Sequence, residues 1–233
     1  MSPVMGRAAG HPPGTDRGTV DRVVRQVASV CLGYPDDDML GRLPLVRSLL
    51  AAVPASEPVT LLSGFVAHAE STAPPELQRQ YVALFDFDRK HALHLSYWTD
   101  GDTRRRGAAL ATFKQRYRDS GWLVDTCGEL PDHLPMVLEF AALVDPDAGR
   151  DLLLEYRAGL ELLRLALIDH RTPYADVLVA VCATLPGASP GDRAAARALA
   201  AAGPPTEAVG LEPYGARGPR LLPLSPVSTA EVS

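Results

Sequence analysis

The chain has 233 residues, a length that suits one domain with tails, and 46% of them are hydrophobic, enough for a sizeable core. A net charge of −5 and a charged fraction of 22% describe an ordinary acidic globular protein and argue against a nucleic-acid binder, which needs a basic face. Three scattered cysteines (Cys31, Cys127, Cys182) form no CxxC pair and no disulfide framework, which fits core residues in a reducing compartment.

Residues 1–16 are rich in Gly, Pro and small side chains and read as a flexible N-terminus with no signal-peptide run. The first helix is predicted over Arg17 to Tyr34. Val20, Val23, Val24, Val27, Cys31 and Leu32 keep helical spacing, and Gly33 and Pro35 stop it. Asp36, Asp37 and Asp38 offer N-caps to a second helix, which Pro44 should split or kink. Ser56 and Pro58 open a third, and Pro74 and Pro75 a fourth that turns Leu77, Tyr81, Leu84 and Phe85 inward. Asp86 to Asp100 reads as an ordered connection in which His94, Leu95, Ser96, Tyr97 and Trp98 could be extended or helical.

A fifth helix is expected from Asp102 or Thr103, burying Leu110, Phe113 and Tyr117 and ending at Gly121. Pro131 or Pro135 opens a sixth, with Asp132 as a candidate cap. Asp145 and Pro146 separate it from a long seventh helix, Ala148 to His170. Thr172 and Pro173 start an eighth, and Ser189 and Pro190 an Ala-rich last one. Strand signals are sparse. The expected fold is therefore all-α, a single-domain bundle of about eight to nine helices over 17–202. Ten of the 31 residues in 203–233 are Gly or Pro, so that tail reads as flexible. No stretch reaches the roughly 20 apolar residues of a membrane helix. The expectation is a cytoplasmic protein with no direct membrane insertion.

Chemical motifs are few. No phosphate loop, dinucleotide fingerprint or nucleophile elbow occurs. His91 and His94 are three apart, but a closed zinc site needs more ligands. The expectation is no metal, no cofactor and no catalytic residue. Two segments stand out. In GDTRRRG, Arg104, Arg105 and Arg106 sit in a first turn where cations oppose the helix dipole. Asp86, Asp88, Asp100 and Asp102 are the local carboxylates that would offset them, and a polar site for a partner is the alternative. In ELPDHLPMVLEFAA, Glu129, Asp132, His133 and Glu139 surround a proline-marked helix start. Capping and core packing explain these residues as readily as a site does.

The words YVALFDFDRKHALHLSYW, GDTRRRGAAL, FKQRYRDSGW and ELPDHLPMVLEFAA, together with LGYPDD at the first helix end, resemble the nitrate reductase delta-subunit, or NarJ-type, assembly chaperones. The order and spacing match as well, up to about Leu167. The resemblance implies an all-helical, non-catalytic chaperone. It would bind the apo catalytic alpha subunit of respiratory nitrate reductase, including its N-terminal segment, and keep it ready for molybdenum cofactor insertion. It would not be part of the finished enzyme. The site it points to combines Tyr81, Phe85, Asp86, Phe87 and Asp88 with Arg104, Arg105, Glu129, Asp132, His133 and Glu139. A chaperone for another molybdoenzyme is the nearest alternative, and a helical transcription regulator a more distant one.

Overall fold

A computed structural model describes residues 17–87, 91–101, 104–121 and 128–202, the last three without their side chains. Asp88, Asp102, Thr103 and Cys127, and the tails 1–16 and 203–233, lie outside the described residues. Eleven α-helices follow in chain order: α1 (Arg17–Cys31), α2 (Asp37–Ala51), α3 (Glu57–Ser71), α4 (Pro74–Tyr81), α5 (Leu95–Asp100), α6 (Arg104–Asp119), α7 (Leu134–Glu139), α8 (Pro146–Glu155), α9 (Arg157–His170), α10 (Tyr174–Ala183) and α11 (Arg193–Ala202). Two π-helical turns, Val82–Asp86 and Phe140–Val144, continue α4 and α7. Among the described residues there is no β-strand, only one antiparallel bridge between His94 and His133.

The stripe of α1 works as the spacing predicts: Val24, Val27, Ala28 and Cys31 are fully buried. This helix lies against α2, α3, α7 and α10. Helix α9 is the other axis and is buried all round from Arg157 to Leu167, as a helix enclosed by neighbours must be. It contacts α5, α8, α10 and α11. A small cluster of Leu162, Leu165 and Ala196 seats α11 on α9. The main apolar core joins α1 to α10, with Phe65, Phe113, Leu134, Leu138, Leu152, Leu160 and Tyr174 among its fully enclosed side chains. Cys31 and Cys182 belong to it as free thiols. Burial pushes the Cys31 thiol up to about 12 and raises that of Cys182 as well, so both are inert packing residues.

The ends of the elements explain where sequence reading succeeds. Asp36 Oδ1 accepts from the Met39 amide at 2.8 Å and caps α2. Asp145 does the same for α8 through the Ala148 amide at 2.9 Å. Gly121 takes a positive φ of 77° just past α6, the left-handed end for which glycine is suited.

Four expectations need correction. Pro44 does not split α2, which runs through it unbroken. Proline already has a helical φ, and burial of Met39, Leu43, Val46 and Leu50 holds the helix on both sides. The predicted seventh helix is two, α8 and α9. Tyr156 leaves helical geometry at φ −100°, ψ 19° between them. The break seats α9 against α5, where a Cβ on Gly159 would lie 2.8 Å from the Leu95 carbonyl oxygen. The last helix starts at Arg193, not at Ser189 or Pro190, because Asp192 caps it through the amides of Ala194 and Ala195. Finally, the connection after Asp86 takes the helical alternative over α5, which with the split of α8 from α9 brings the count among the described residues to eleven, above the expected eight to nine.

Candidate functional site

The first π-helical turn borders a surface cleft through Phe85 and Asp86, and the second follows directly on Glu139, which lines the neighbouring hollow. A π turn inserts an extra residue into a helix and re-aims the side chains around it. At the first turn, Leu84 and Phe85 face inward while Asp86 and Phe87 are exposed, Phe87 at 83%. At the second, Glu139 remains exposed just before Phe140, Ala141 and Ala142 enter the core.

Between them lies a cleft of about 320 Å³ lined by Tyr34, Tyr81, Phe85, Asp86, Ala92, Leu93, His94, Glu129 and His133. A second hollow of about 380 Å³ shares Tyr34 and His133 with it and continues past Gln26, Asp36, Asp38, Arg42, Met136 and Glu139. The two form one bent groove. Its floor is aromatic. Tyr34 stands edge-on to Tyr81 at 5.5 Å, Tyr81 packs on Phe85 at 4.8 Å, and Phe85 meets Tyr174 at 5.0 Å. Tyr81 donates to the Leu32 carbonyl at 3.1 Å, which fixes the floor to the end of α1. Burial, aided by Asp86 and Glu129, raises the Tyr81 phenol far above its ordinary value, so it stays neutral.

The rim is acidic. Asp86, Glu129 and Glu139 are exposed and make no hydrogen bond or ion pair among the described residues. Asp36 and Asp38 add charge from the α2 end, against Arg42. Exposed apolar side chains flank it: Tyr34 at 46%, Leu130 at 39% and Phe87. Such an arrangement suits a ligand that is basic and apolar together, for which aromatic surface supplies affinity and carboxylates supply direction.

Of the residues singled out by sequence, the fold thus brings together Tyr81, Phe85, Asp86, Glu129, His133 and Glu139, with Phe87 beside them. It places Asp132 elsewhere. That side chain is fully buried and does not cap α7, whose start at His133 has no side-chain cap. It caps α5 instead, accepting from the Ser96 amide at 3.1 Å and the Ser96 hydroxyl at 2.6 Å. The Leu95 amide bonds the Asp132 carbonyl at 3.1 Å and the Leu134 amide bonds the Leu93 carbonyl at 2.7 Å. These two bonds bring the start of α5 beside the start of α7, and the carboxylate follows. His94 Nδ1 lies 3.3 Å from the other oxygen, Oδ1, and Arg106 Nη2 lies 3.9 Å from Oδ2, the oxygen that Ser96 holds. Burial alone would raise the Asp132 pKa, but the His94 and Ser96 hydrogen bonds and the His94 and Arg106 charges outweigh it and hold it below its ordinary value. Arg106 also stacks over the Tyr97 ring at 5.8 Å. Of the three arginines, therefore, Arg106 turns inward to a carboxylate outside the local set expected for it. Arg104 and Arg105 are exposed on α6 and line neither part of the groove.

Sequence reading missed Tyr34, Asp36, Asp38 and His94 as groove residues. A signal was present, since LGYPDD was among the matching words and carries two of them, Tyr34 and Asp36. His133 lies at the junction of the two hollows. Burial lowers its pKa, opposed by Glu129, so the ring favours its neutral form more than a free histidine does. Among the described residues no cluster of three or more His, Cys, Asp or Glu could hold a metal ion, and no helix is long and apolar enough to cross a membrane.

Comparison with known proteins agrees with this architecture. Residues 51–180 match the family described as the nitrate reductase delta subunit. The chain is 43% identical over 164 residues to the nitrate reductase-like protein NarX of Mycobacterium tuberculosis, a match that covers 70% of this chain and 24% of NarX. It thus spans about a quarter of that relative. It is 33% identical over 168 residues to the probable nitrate reductase molybdenum cofactor assembly chaperone NarJ of Bacillus subtilis, covering 72% of this chain and 91% of the relative. The Escherichia coli NarJ is 29% identical, with 64% of each chain covered. A crystal structure from Archaeoglobus fulgidus, assigned to redox enzyme maturation, superposes with a TM-score of 0.53 at 22% identity, over 75% of this chain and 96% of that one. That likeness is one of fold.

Proposed function

We infer function from one premise: the chain belongs to the nitrate reductase delta-subunit family. It acts as a system-specific assembly chaperone. It binds the apo catalytic alpha subunit of respiratory nitrate reductase, including its N-terminal segment, keeps it competent for molybdenum cofactor insertion and complex assembly, and then leaves. It is a cytoplasmic binding protein, not an enzyme. The relatives named as NarJ chaperones support the role.

The observation that carries the binding mode is the groove between α4 and α7, with an aromatic floor and rim carboxylates that have no partner among the described residues. A folded protein gains little by leaving three acidic side chains unpaired beside exposed aromatic surface. A partner segment with basic residues and an apolar face would use both. Tyr81 and Phe85 build the floor, Phe87 offers an exposed anchor, and Asp86, Glu129 and Glu139 supply direction. Asp132 contributes through the shape of the α5–α7 junction, not by contact.

The test is capture from cells grown on nitrate, with bound proteins identified by mass, using wild type and the Asp86→Asn/Glu139→Gln double variant. The expected result is recovery of cofactor-free nitrate reductase alpha subunit by wild type and marked loss with the folded variant. Recovery of a different molybdoenzyme, or equal recovery by both proteins, would overturn the assignment.

A further inference from the structure

A second cavity, of about 680 Å³, opens on another part of the molecule, between the start of α1, the start of α8 and the turn after α10. Its charge is opposite to that of the groove. In a chain of net charge −5, four arginines (Arg17, Arg22, Arg25 and Arg150) line it against two aspartates, Asp21 and Asp147.

Arg25 is the unusual member. It is only 3% exposed, and a guanidinium is rarely buried so far without a carboxylate in contact. It is held through one edge, with Nε 3.2 Å from the Thr184 hydroxyl and Nη2 3.3 Å from the Thr184 carbonyl. Its Nη1 has no acceptor among the described residues. Arg22 is fixed in the same way, through Nε to the Ala142 carbonyl at 2.9 Å, which leaves both its Nη groups available. Each side chain is thus oriented by a protein oxygen at one end and keeps donors for something else at the other. Burial disfavours the Arg25 charge, Asp21 partly restores it, and Arg150 opposes it again. Arg17 lies 4.0 Å from Asp21, and Asp21 and Arg150 have further partners, so the donors left open are chiefly those of Arg22 and Arg25.

We propose that this cavity binds a phosphate group, borne by inorganic phosphate or by a small phosphorylated molecule, with Arg25 as buried anchor and Arg22 and Arg150 as further donors. Guanidinium forks match the oxygens of a phosphate in pairs. Arginines from two helices, α1 and α8, suit a tetrahedral dianion better than a flat monoanionic carboxylate. The volume exceeds that of the bare ion, so a phosphate ester fits as well. This site is separate from the partner groove and does not depend on it.

The test uses the full chain, with thermal melting and calorimetric titration in sodium phosphate and sodium pyrophosphate against sodium chloride of equal ionic strength. The variants are Arg22→Gln and Arg150→Gln, whose side chains reach solvent, with Asp86→Asn as a control in the other groove. The expected result is a saturable rise in melting midpoint with phosphate or pyrophosphate and none with chloride. Affinity should fall roughly tenfold in each arginine variant, the loss of one charge-assisted hydrogen bond, and stay unchanged in Asp86→Asn. Tighter binding of pyrophosphate would identify a phosphorylated molecule as the ligand, and equal binding the free ion. No saturable response to either salt, or the same response in the arginine variants, would overturn the proposal.

Discussion

Helix α9 and the groove between α4 and α7 use acidic side chains in opposite ways. On α9, Glu161 is fully buried between Arg164, 2.6 Å away, and Arg157, 3.5 Å away, and accepts from the Ser189 hydroxyl at 2.7 Å. The two arginines go on to the carbonyls of the turn before α11. Arg164 reaches Pro190 at 2.6 Å, and Arg157 reaches Pro186, Gly187 and Ala188. Every charge there is used to fasten one segment to another. In the groove, Asp86, Glu129 and Glu139 fasten nothing among the described residues. Charge satisfied inside the protein is architecture, and charge left unsatisfied at an apolar surface is available to a partner.

The largest effect should come from the clamp. Replacing Glu161 with Ala strands two buried guanidiniums, and such a loss costs about 3–5 kcal/mol. Urea unfolding should show it, while the fraction still folded should bind the partner peptide as wild type does. A cost under about 1 kcal/mol would mean that the triad is incidental to the fold, and the contrast with the groove would collapse.

Asp132 stands between the two cases, buried yet next to the groove. Asp132→Asn should cost about 2 kcal/mol at neutral pH, the range for losing hydrogen bonds to a charged group. The sign with pH follows from its lowered folded pKa. Its contribution is present above the unfolded value of about 3.9 and lost as pH falls through the folded value. The gap between variant and wild type should therefore close in acid, as read by melting midpoints across a pH series. A gap that persists unchanged at pH 2 would point to packing instead of charge.

A smaller effect is expected at His133. Its folded pKa is lowered, so the unfolded chain binds the proton more readily. Stability from this group is complete above the unfolded value of about 6.5 and declines as pH drops toward the folded value. His133→Gln should flatten the stability profile over that window. An unaltered slope would assign the acid sensitivity to other groups.

Much of the fold is legible in the sequence because it depends on local rules. The α1 stripe, the Asp36 and Asp145 caps and the Gly121 stop each need only a few neighbouring residues. What escapes depends on contacts between distant segments. Arg157, Glu161 and Arg164 are spaced like an ordinary exposed i, i+4 set, and only the enclosure of α9 makes them a clamp. The break at Tyr156, which seats α9 close against α5, has no Pro or Gly at the break itself to announce it. Asp132 looks like the cap of its own helix and instead caps α5, because the His94–His133 bridge puts the two starts side by side. The groove was half legible. Its aromatic and acidic words were visible on either side, but the π turns that aim them have no sequence signature, and the contribution of LGYPDD lay in a motif far along the chain.

The most direct test of the account is calorimetric titration of the nitrate reductase alpha-subunit N-terminal peptide into wild type, Asp86→Asn, Glu139→Gln and Phe87→Ala at two salt concentrations, with melting curves for each. Stability should stay within about 0.5 kcal/mol in all three variants, as is usual for exposed positions. Affinity should fall about fivefold or more in each, since an interface contact is typically worth about 1 kcal/mol. The carboxylate variants should also lose part of the salt dependence, while Phe87→Ala keeps it. Wild-type affinity and wild-type salt dependence in all three folded variants would contradict the claim that this groove receives the partner.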